Sequence, residues 1–146
     1  MDNKNVRAGV GVLVLKGDEI LLGKRNSDPE KASSELHGEG TWTMPGGKIR
    51  FGERAIDAAS RELLEETGMY AGKLELVSLS DEITNDAHFV TIGFLCKNYR
   101  GEPKAMEPNE IVEWKFFPKN RMPSPIFSPS LKLLQNYNNG IIYKGE

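Results

Sequence analysis

Three glutamates, Glu62, Glu65 and Glu66, stand three and four residues apart near the middle of the chain. The pattern from Ala55 to Thr67 predicts a helix, and Gly68 is well placed to end it in the left-handed conformation. The three carboxylates then share one face, because each helical residue advances about 100° around the axis. Like charges at these spacings repel each other, so the cluster is typical either of a solvated acidic face or of a cation site.

The surroundings of the cluster favour the cation site. Arg61 and Glu53 flank it, and glycines stand on both sides. Ile56, Ala59 and Leu63 form an apolar stripe on a neighbouring face, so the helix can pack while its carboxylates point outward. Oxygen ligands suit hard divalent cations, so we expect Mg²⁺, with Mn²⁺ as the alternative, rather than zinc. Since Mg²⁺ usually completes its shell with water and substrate phosphates, the helix points to phosphate chemistry.

The same stretch matches the complete signature of a known family, the Nudix box. In this match, Gly47 is followed after five residues by Glu53, and Glu53 is followed after seven residues by Arg61-Glu62-Leu63. Glu65-Glu66 come after one further residue, and Gly68-Met69 after one more. Seven fixed polar or glycine positions at fixed spacing would occur by chance about once in 10⁷ windows, given ordinary residue frequencies. The resemblance extends to MutT-type nucleoside triphosphatases through Gly9-Val10-Gly11-Val12, Leu21-Leu22-Gly23-Lys24-Arg25, Gly40-Thr41-Trp42, Pro45-Gly46-Gly47, Glu102-Pro103-Lys104 and Glu107-Pro108.

The resemblance implies an α/β fold: a Nudix-type α/β/α sandwich with a mixed β-sheet and a loop–helix–loop catalytic motif, in one domain over residues 1–146. The patterns along the chain independently predict strands over 7–15, 20–22, 73–80, 88–97 and 112–117. Residues 26–40 are expected to form a long loop, and Pro45-Gly46-Gly47 to stop a short extended piece. A last helix should begin with Ser128 as its N-cap, followed by Pro129, and end at Asn139-Gly140.

The resemblance also implies roles for individual residues. Glu62 and Glu66 would ligate the metal, Glu65 would share that shell, and the Gly46 carbonyl would add a backbone oxygen. Arg61 would orient the loop through Glu53, although a simple surface ion pair is the alternative. Glu107 is the candidate for a further acidic residue from a distal loop, with Glu110 as the alternative.

Substrate contacts must come from outside the box. Arg25 and Lys48 are candidates for phosphate contacts, although exposed cationic residues are usually only solvated. Trp42, Phe89 and Phe127 are candidates for stacking on a base, although each is more often a core residue. His37 and His88 have no partners at motif spacing, so neither is expected to be the catalytic base.

The leading interpretation is a metal-dependent hydrolase that converts a nucleoside triphosphate into a monophosphate and pyrophosphate. An enzyme acting on ADP-ribose or a nucleotide sugar is the nearest alternative; such enzymes often carry a proline after the box, and none occurs here between Gly68 and Pro103. A nucleotide-sensing or partner-binding Nudix-like module is a further alternative. Such modules tend to lose box glutamates, and this chain keeps them all.

Composition limits the partners and the compartment. The net charge is −2, from 19 basic and 21 acidic residues, and no basic block is present, so we expect a small nucleotide rather than a nucleic acid polymer. The longest apolar run, 10–15, is too short for a membrane span. The first five residues lack a leader pattern, and Cys96 is the only cysteine, so we expect a cytoplasmic protein. A homodimer is left open.

Overall fold

The computed structural model describes residues 4–32 and 36–145. The expected absence of a leader rests partly on residues 1–3, and the expected loop includes 33–35; these positions lie outside the described residues. The elements in chain order are β1 (Val6–Lys16), β2 (Glu19–Arg25), α1 (Pro29–Ala32), β3 (Trp42–Thr43), β4 (Gly46–Lys48), α2 (Ala55–Thr67), β5 (Tyr70–Ala71), β6 (Leu74–Ile83), β7 (His88–Cys96), β8 (Tyr99–Arg100), β9 (Ile111–Pro118) and α3 (Ser128–Asn139).

Strand β1 is the spine of the main sheet. It pairs in parallel with β7 from Val6 to Val14, while β4 pairs antiparallel with its middle and β2 with its end. The sheet order is β3-β2-β1-β7-β6, with β9 also paired to β2. The remaining pairings are antiparallel, so the predicted mixed sheet is confirmed.

Alternate residues of β1 enter two different cores. Val10, Val12 and Val14 pack with Ala59 and Leu63 of α2 in one hydrophobic cluster. A second cluster joins β1 and β2 to the C-terminal helix through Leu13, Leu15, Ile20, Leu133 and Leu134. Because successive side chains of a strand point to opposite faces, one buried strand serves both helices. The predicted α/β/α sandwich is therefore confirmed.

Helix α2 begins and ends where the sequence predicts. Gly68 ends it with φ 76°, in the left-handed conformation that glycine adopts without a steric penalty. Ala59 and Leu63 are buried as expected, but Ile56 is exposed, so the packed stripe is narrower than predicted. The indole of Trp114 donates a hydrogen bond to the Glu66 carbonyl (3.0 Å), which ties the end of the helix to β9.

Three local features differ from the sequence predictions. The short extended piece is β3 and ends before Pro45 as predicted, but Gly46 and Gly47 then form a further strand, β4, since their backbone pairs with β1. The loop after β2 contains the short helix α1, which Asp28 caps through the Glu30 amide. The N-cap of α3 is Phe127, because the Ser128 hydroxyl donates to Glu82 instead of capping the helix.

None of the described helices is long and apolar enough to cross a membrane.

Glycines let α3 lie close against the sheet. A Cβ at Gly93 of β7 would stand 2.6 Å from Leu133 Cγ and 2.9 Å from Ser78 Cβ, and a Cβ at Gly11 of β1 would stand 3.1 Å from Leu133 Cδ1. The two glycines are register partners on adjacent strands. Together they form a shallow surface that receives the Leu133 side chain.

We predict that Gly93→Ala lowers the free energy of unfolding by about 1–3 kcal/mol, because the added methyl overpacks against Leu133. Leu133→Ala should cost about 2–5 kcal/mol by itself. If overpacking is the cause, the free energy of unfolding lost in the double variant should be smaller than the sum of the two single losses by at least about 0.5 kcal/mol. Urea unfolding of the four proteins measures this coupling, and strictly additive effects would contradict the explanation.

Candidate active site

A cavity of about 680 Å³ is lined by residues of α2, of α3 and of the strands between these two helices. At one end its lining consists of box residues: Gly46, Gly47, Lys48, Glu62, Glu65 and Glu66, joined by Glu107 and Glu110 of the loop before β9. At the other end the lining comes from α1, β7 and the start of α3, and includes Phe89, Phe127 and Leu133. The cavity is therefore acidic at one end and largely apolar at the other.

The Glu66 carboxylate is buried, contrary to the expectation that it points outward. Its side chain is 8% exposed and accepts a hydrogen bond from the Gly46 amide (2.8 Å). Burial, together with the nearby charge of Glu62, raises the pKa of Glu66 well above its ordinary value of 4.5. An anionic Glu66 thus lacks part of the solvation that its charge requires, and this is the physical condition for binding a cation.

Glu62 lies beside Glu66, against the glycine strand β4. A Cβ at Gly47 would stand 2.7 Å from the Glu62 carboxyl carbon, so only glycine leaves room for this side chain. Burial raises the pKa of Glu62, although hydrogen bonds with Arg61 and Glu66 oppose the shift. Glu62 is partly buried, and its charge helps to raise the pKa of Glu66, so the two carboxylates form an electrostatically coupled pair.

Arg61 connects the helix to the loop in front of it, as the resemblance implied. Its Nε and Nη2 donate to the two carboxylate oxygens of Glu53 (2.7 and 2.9 Å). Nη1 donates to Glu62 (2.7 Å), and Nη2 also donates to the Lys48 carbonyl (3.0 Å). The hydrogen bonds from Arg61 lower the pKa of Glu53 to about 2. This bidentate pair fixes the distance between the loop and the metal-binding face.

The two other predicted acidic residues lie at the rim. Glu65 is partly exposed and stands 3.4 Å from both Arg50 and Arg61. Burial, followed by the charges of Glu110, Glu62 and Glu65, raises the pKa of Glu107. The charge of Glu107 in turn contributes to the raised pKa of Glu66. Glu107 therefore lies within electrostatic reach of the box carboxylates, and the proposed metal role of both residues stays a prediction.

The donor set fits a hard cation such as Mg²⁺. No three acidic, histidine or cysteine side chains converge at metal-ligand spacing within residues 4–32 and 36–145, so a cation held by Glu62 and Glu66 would need further ligands from the backbone, from water or from a substrate. Two carboxylates are the usual protein share for Mg²⁺. The Val12 amide donates to the Pro45 carbonyl, so these two residues are a hydrogen-bonded pair of the antiparallel ladder between β1 and β4. Such pairs alternate with pairs that are not hydrogen-bonded, and the next pair is Gly11 and Gly46. The carbonyl and the amide of Gly46 therefore both point away from β1.

At the other end of the cavity, the Arg25 side chain packs on the ring of Phe127. Its guanidinium is buried, donates to the carbonyls of Gly38 (2.8 Å) and Ala32 (3.2 Å), and lies 4.6 Å from the Phe127 ring centroid. Burial lowers the pKa of Arg25, although Glu39 and other glutamates oppose the shift. Two of its nitrogens donate to backbone oxygens, and Arg25 also lines the cavity, so its contact with a phosphate stays a prediction.

The remaining predicted substrate residues separate into two groups. Phe89, Phe127 and Lys48 line the cavity. Trp42 does not: its ring packs edge-on against Phe117 at 5.0 Å and joins the core beneath α3. The assignment of Trp42 to base stacking was therefore wrong, because its tryptophan ring completes the second hydrophobic cluster.

Sequence reasoning missed several polar residues that line the cavity. Thr43, Thr91 and Ser130 come from three different elements, and each is a common residue without motif spacing. His37 also lines it, with a left-handed backbone (φ 54°). The only local signal was the alternation of Gly9 and Gly11 in a buried strand, which suggests close approach of another group to that face.

Comparison with known families matches residues 5–137 to the NUDIX domain. The chain belongs to the Nudix family. The 8-oxo-dGTP diphosphatase of Escherichia coli is 29% identical over 111 residues, which cover 76% of this chain and 80% of that protein. The ADP-ribose pyrophosphatase of Methanocaldococcus jannaschii is 30% identical over 127 residues, covering 86% of this chain and 69% of the relative.

Other relatives carry different names. An RNA pyrophosphohydrolase of Mesorhizobium japonicum is 40% identical over 100 residues, and the match covers 66% of this chain but only 55% of that protein. Among solved structures, a MutT NUDIX hydrolase from Burkholderia pseudomallei superposes with a TM-score of 0.81 at 29% identity, covering 91% of this chain and 98% of that one. These Nudix relatives share the fold and box, and their names cover several substrates.

We predict that Glu66→Gln stabilises the metal-free protein at neutral pH, because glutamine keeps an acceptor for the Gly46 amide without a buried charge. The pKa of Glu66 in the folded protein lies above the unfolded value of 4.5. At pH values between the two, the folded state therefore binds more protons at Glu66 than the unfolded state does. The free energy of unfolding should therefore fall as pH rises above about 4.5, and the variant should flatten that fall.

Thermal unfolding with a chelator between pH 5 and 8 measures this effect. Each kcal/mol gained should raise the melting temperature by about 2–4 °C in a domain of this size. Glu75→Gln, an equal charge change at an exposed position of β6, is the matched control and should leave the pH slope unaltered. Equal slopes in the wild type and Glu66→Gln would refute the buried-charge explanation.

Proposed function

We propose that this chain, acting as one domain over residues 1–146, hydrolyses a nucleoside triphosphate to a nucleoside monophosphate and pyrophosphate. The observation that carries the proposal is the electrostatically coupled Glu62–Glu66 pair at one end of a cavity whose other end is apolar and aromatic. A cation-bridged polyphosphate suits the first end, and a nucleobase suits the second. The substrate is a small nucleotide, without a nucleic acid polymer or a membrane as partner, and a homodimer remains an open proposal.

The residues divide the work as follows. Glu62 and Glu66 hold Mg²⁺ or Mn²⁺, with Glu65, Glu107 and the Gly46 carbonyl as the further ligands proposed. A cation held by these residues would supply positive charge against the polyphosphate and would lower the pKa of a bound water.

A glutamate of the cluster accepts a proton from that water. The water oxygen attacks the α- or β-phosphorus of the triphosphate, and the bond from that phosphorus to the α–β bridging oxygen breaks, so that the monophosphate and pyrophosphate are released. Arg61 and Glu53 position the loop that follows β4, and Lys48, the last residue of β4, lines the cavity where it would contact the phosphates.

Hydrolysis of ADP-ribose or a nucleotide sugar is the second candidate, favoured by the relative named ADP-ribose pyrophosphatase. The chemistry would be the same, but the products differ. Purified protein incubated with Mg²⁺ and a panel of nucleoside triphosphates, ADP-ribose and nucleotide sugars separates the two by chromatography and phosphorus NMR. Pyrophosphate release from triphosphates supports our proposal; turnover of ADP-ribose alone would replace it with the second candidate.

We predict that hydrolysis requires a divalent cation and that Glu66→Gln lowers kcat by at least about two orders of magnitude. The substitution removes a ligand charge while it preserves volume, so the fold should persist. Assays with and without excess chelator, alongside circular dichroism, check both statements. Unchanged turnover after thorough chelation would refute the metal mechanism, and wild-type turnover in the variant would remove Glu66 from the metal shell.

We predict that Phe127→Ala raises KM for nucleoside triphosphates about 5- to 100-fold and changes kcat much less, because stacking on a base contributes about 1–3 kcal/mol to binding. Arg25 supports one face of the ring. As a matched control, Phe117→Ala truncates a ring that packs on Trp42 outside the cavity lining. Melting temperatures measured on the same samples identify a purely structural effect: lower stability with an unaltered KM would place the base elsewhere.

A further inference from the structure

Three hydroxyl side chains stand in the cavity wall and take no part in the proposed metal chemistry. Thr43 belongs to β3, Thr91 to β7 and Ser130 to α3, and all three residues are more than nine-tenths buried. A buried hydroxyl at the wall of a binding cavity fixes ligand orientation by hydrogen bonding. What these hydroxyls offer to a ligand depends on which of their protons are already committed.

Thr43 and Ser130 have no proton left to donate. The Met44 amide donates to Ser130 Oγ (2.9 Å), and Thr43 Oγ1 donates to the Met44 carbonyl (3.0 Å). The two hydroxyl oxygens are 3.2 Å apart. Since the Thr43 proton is committed to Met44, the proton between the hydroxyls comes from Ser130. The pair therefore offers only lone pairs to the cavity.

The Thr91 hydroxyl is different, because it makes no hydrogen bond with any described residue. Every fully buried side-chain nitrogen or oxygen in the described chain has a partner, so the Thr91 hydroxyl must reach solvent. The space that Thr91 lines is the cavity. Its register partner on β1 is Gly9, which has no side chain to cover it.

The neighbours of these hydroxyls suit a flat ring. Gly9 and Gly11 leave the β1 side open, while Phe89 and Phe127 add aromatic walls. A planar base between such walls would present its polar edge to Thr91 and Ser130. Ser130 can only accept a hydrogen bond, whereas Thr91 can donate or accept one, so this wall holds more lone pairs than free protons. A base edge with two N–H donors therefore satisfies more of the wall than an edge whose carbonyl oxygen accepts the single free proton of Thr91.

We propose that Thr91 and Ser130 bind the polar edge of the nucleobase and select bases that carry an exocyclic amino group. An amino group supplies two N–H donors for the two hydroxyl oxygens. The proposal deepens the proposed function and rests on it in taking the ligand to be a nucleotide. It names the class of base that the enzyme prefers, which the box residues do not determine.

Matched nucleotides that differ only in the amino group test the proposal. Calorimetry should give a Kd for dGMP about 5- to 50-fold lower than for dIMP, and the same ordering for dAMP against the deoxynucleotide of unsubstituted purine, because one or two hydrogen bonds are lost. KM values for the corresponding triphosphates should follow the same order. Equal Kd values within both pairs would overturn the proposal.

Substitutions then assign the selectivity to the hydroxyl. Thr91→Val keeps the shape of the side chain and should reduce the dIMP-to-dGMP ratio of Kd values to below about 2, while Thr91→Ser should restore most of it. Ser80→Ala is the control: Ser80 is the buried register partner of Thr91 on β6, but it is not part of the cavity lining. Its ratio should equal that of the wild type. A ratio that Thr91→Val leaves unaltered would overturn the assignment.

Failure of the two proposals can be told apart. Binding of the monophosphates requires no turnover, so amino-group selectivity without hydrolysis of any triphosphate would refute the proposed function alone. Hydrolysis of dGTP and dITP with equal KM and kcat would refute only the selectivity. Absence of measurable binding for all four monophosphates, at concentrations up to the KM of the triphosphates, would also overturn the selectivity.

Discussion

The buried carboxylate of Glu66, held against the Gly46 amide and beside Glu62, is the constraint around which the site is organised. A charge in that position loses much of its hydration, and a second carboxylate beside it raises the electrostatic cost. Arg61 compensates for part of the charge, but it is shared with Glu53 and the loop backbone. The charge that Arg61 leaves uncompensated is the reason for proposing a cation at this position.

That arrangement depends on residues without side chains. Only glycine fits at positions 46 and 47 of β4, because a Cβ would collide with the Val10 backbone at the first and with the Glu62 carboxylate at the second. The same principle operates on the opposite face of β1, where Gly11 admits Leu133 of α3. Close approach of backbones therefore sets both the spacing of the carboxylates and the depth of the cavity.

Binding at the two ends of the cavity depends on different interactions. At the acidic end it depends on the charge of the carboxylates, so it varies with the cation and with the pH. The other end depends on aromatic area and on hydroxyls with committed protons. Arg25 joins β2, the loop at Gly38 and the Phe127 ring through hydrogen bonds and a face-on contact.

The sequence by itself determined the family, the helix Ala55–Thr67 with its Gly68 stop, the doubly buried first strand and the Arg61–Glu53 pair, because these depend on short-range periodicity and on a motif of fixed spacing. Only the tertiary structure decided that Glu66 is buried and that Trp42 packs on Phe117. Strand pairing between distant segments decides which side chains meet. Local patterns record the period of an element, and they do not record its neighbours.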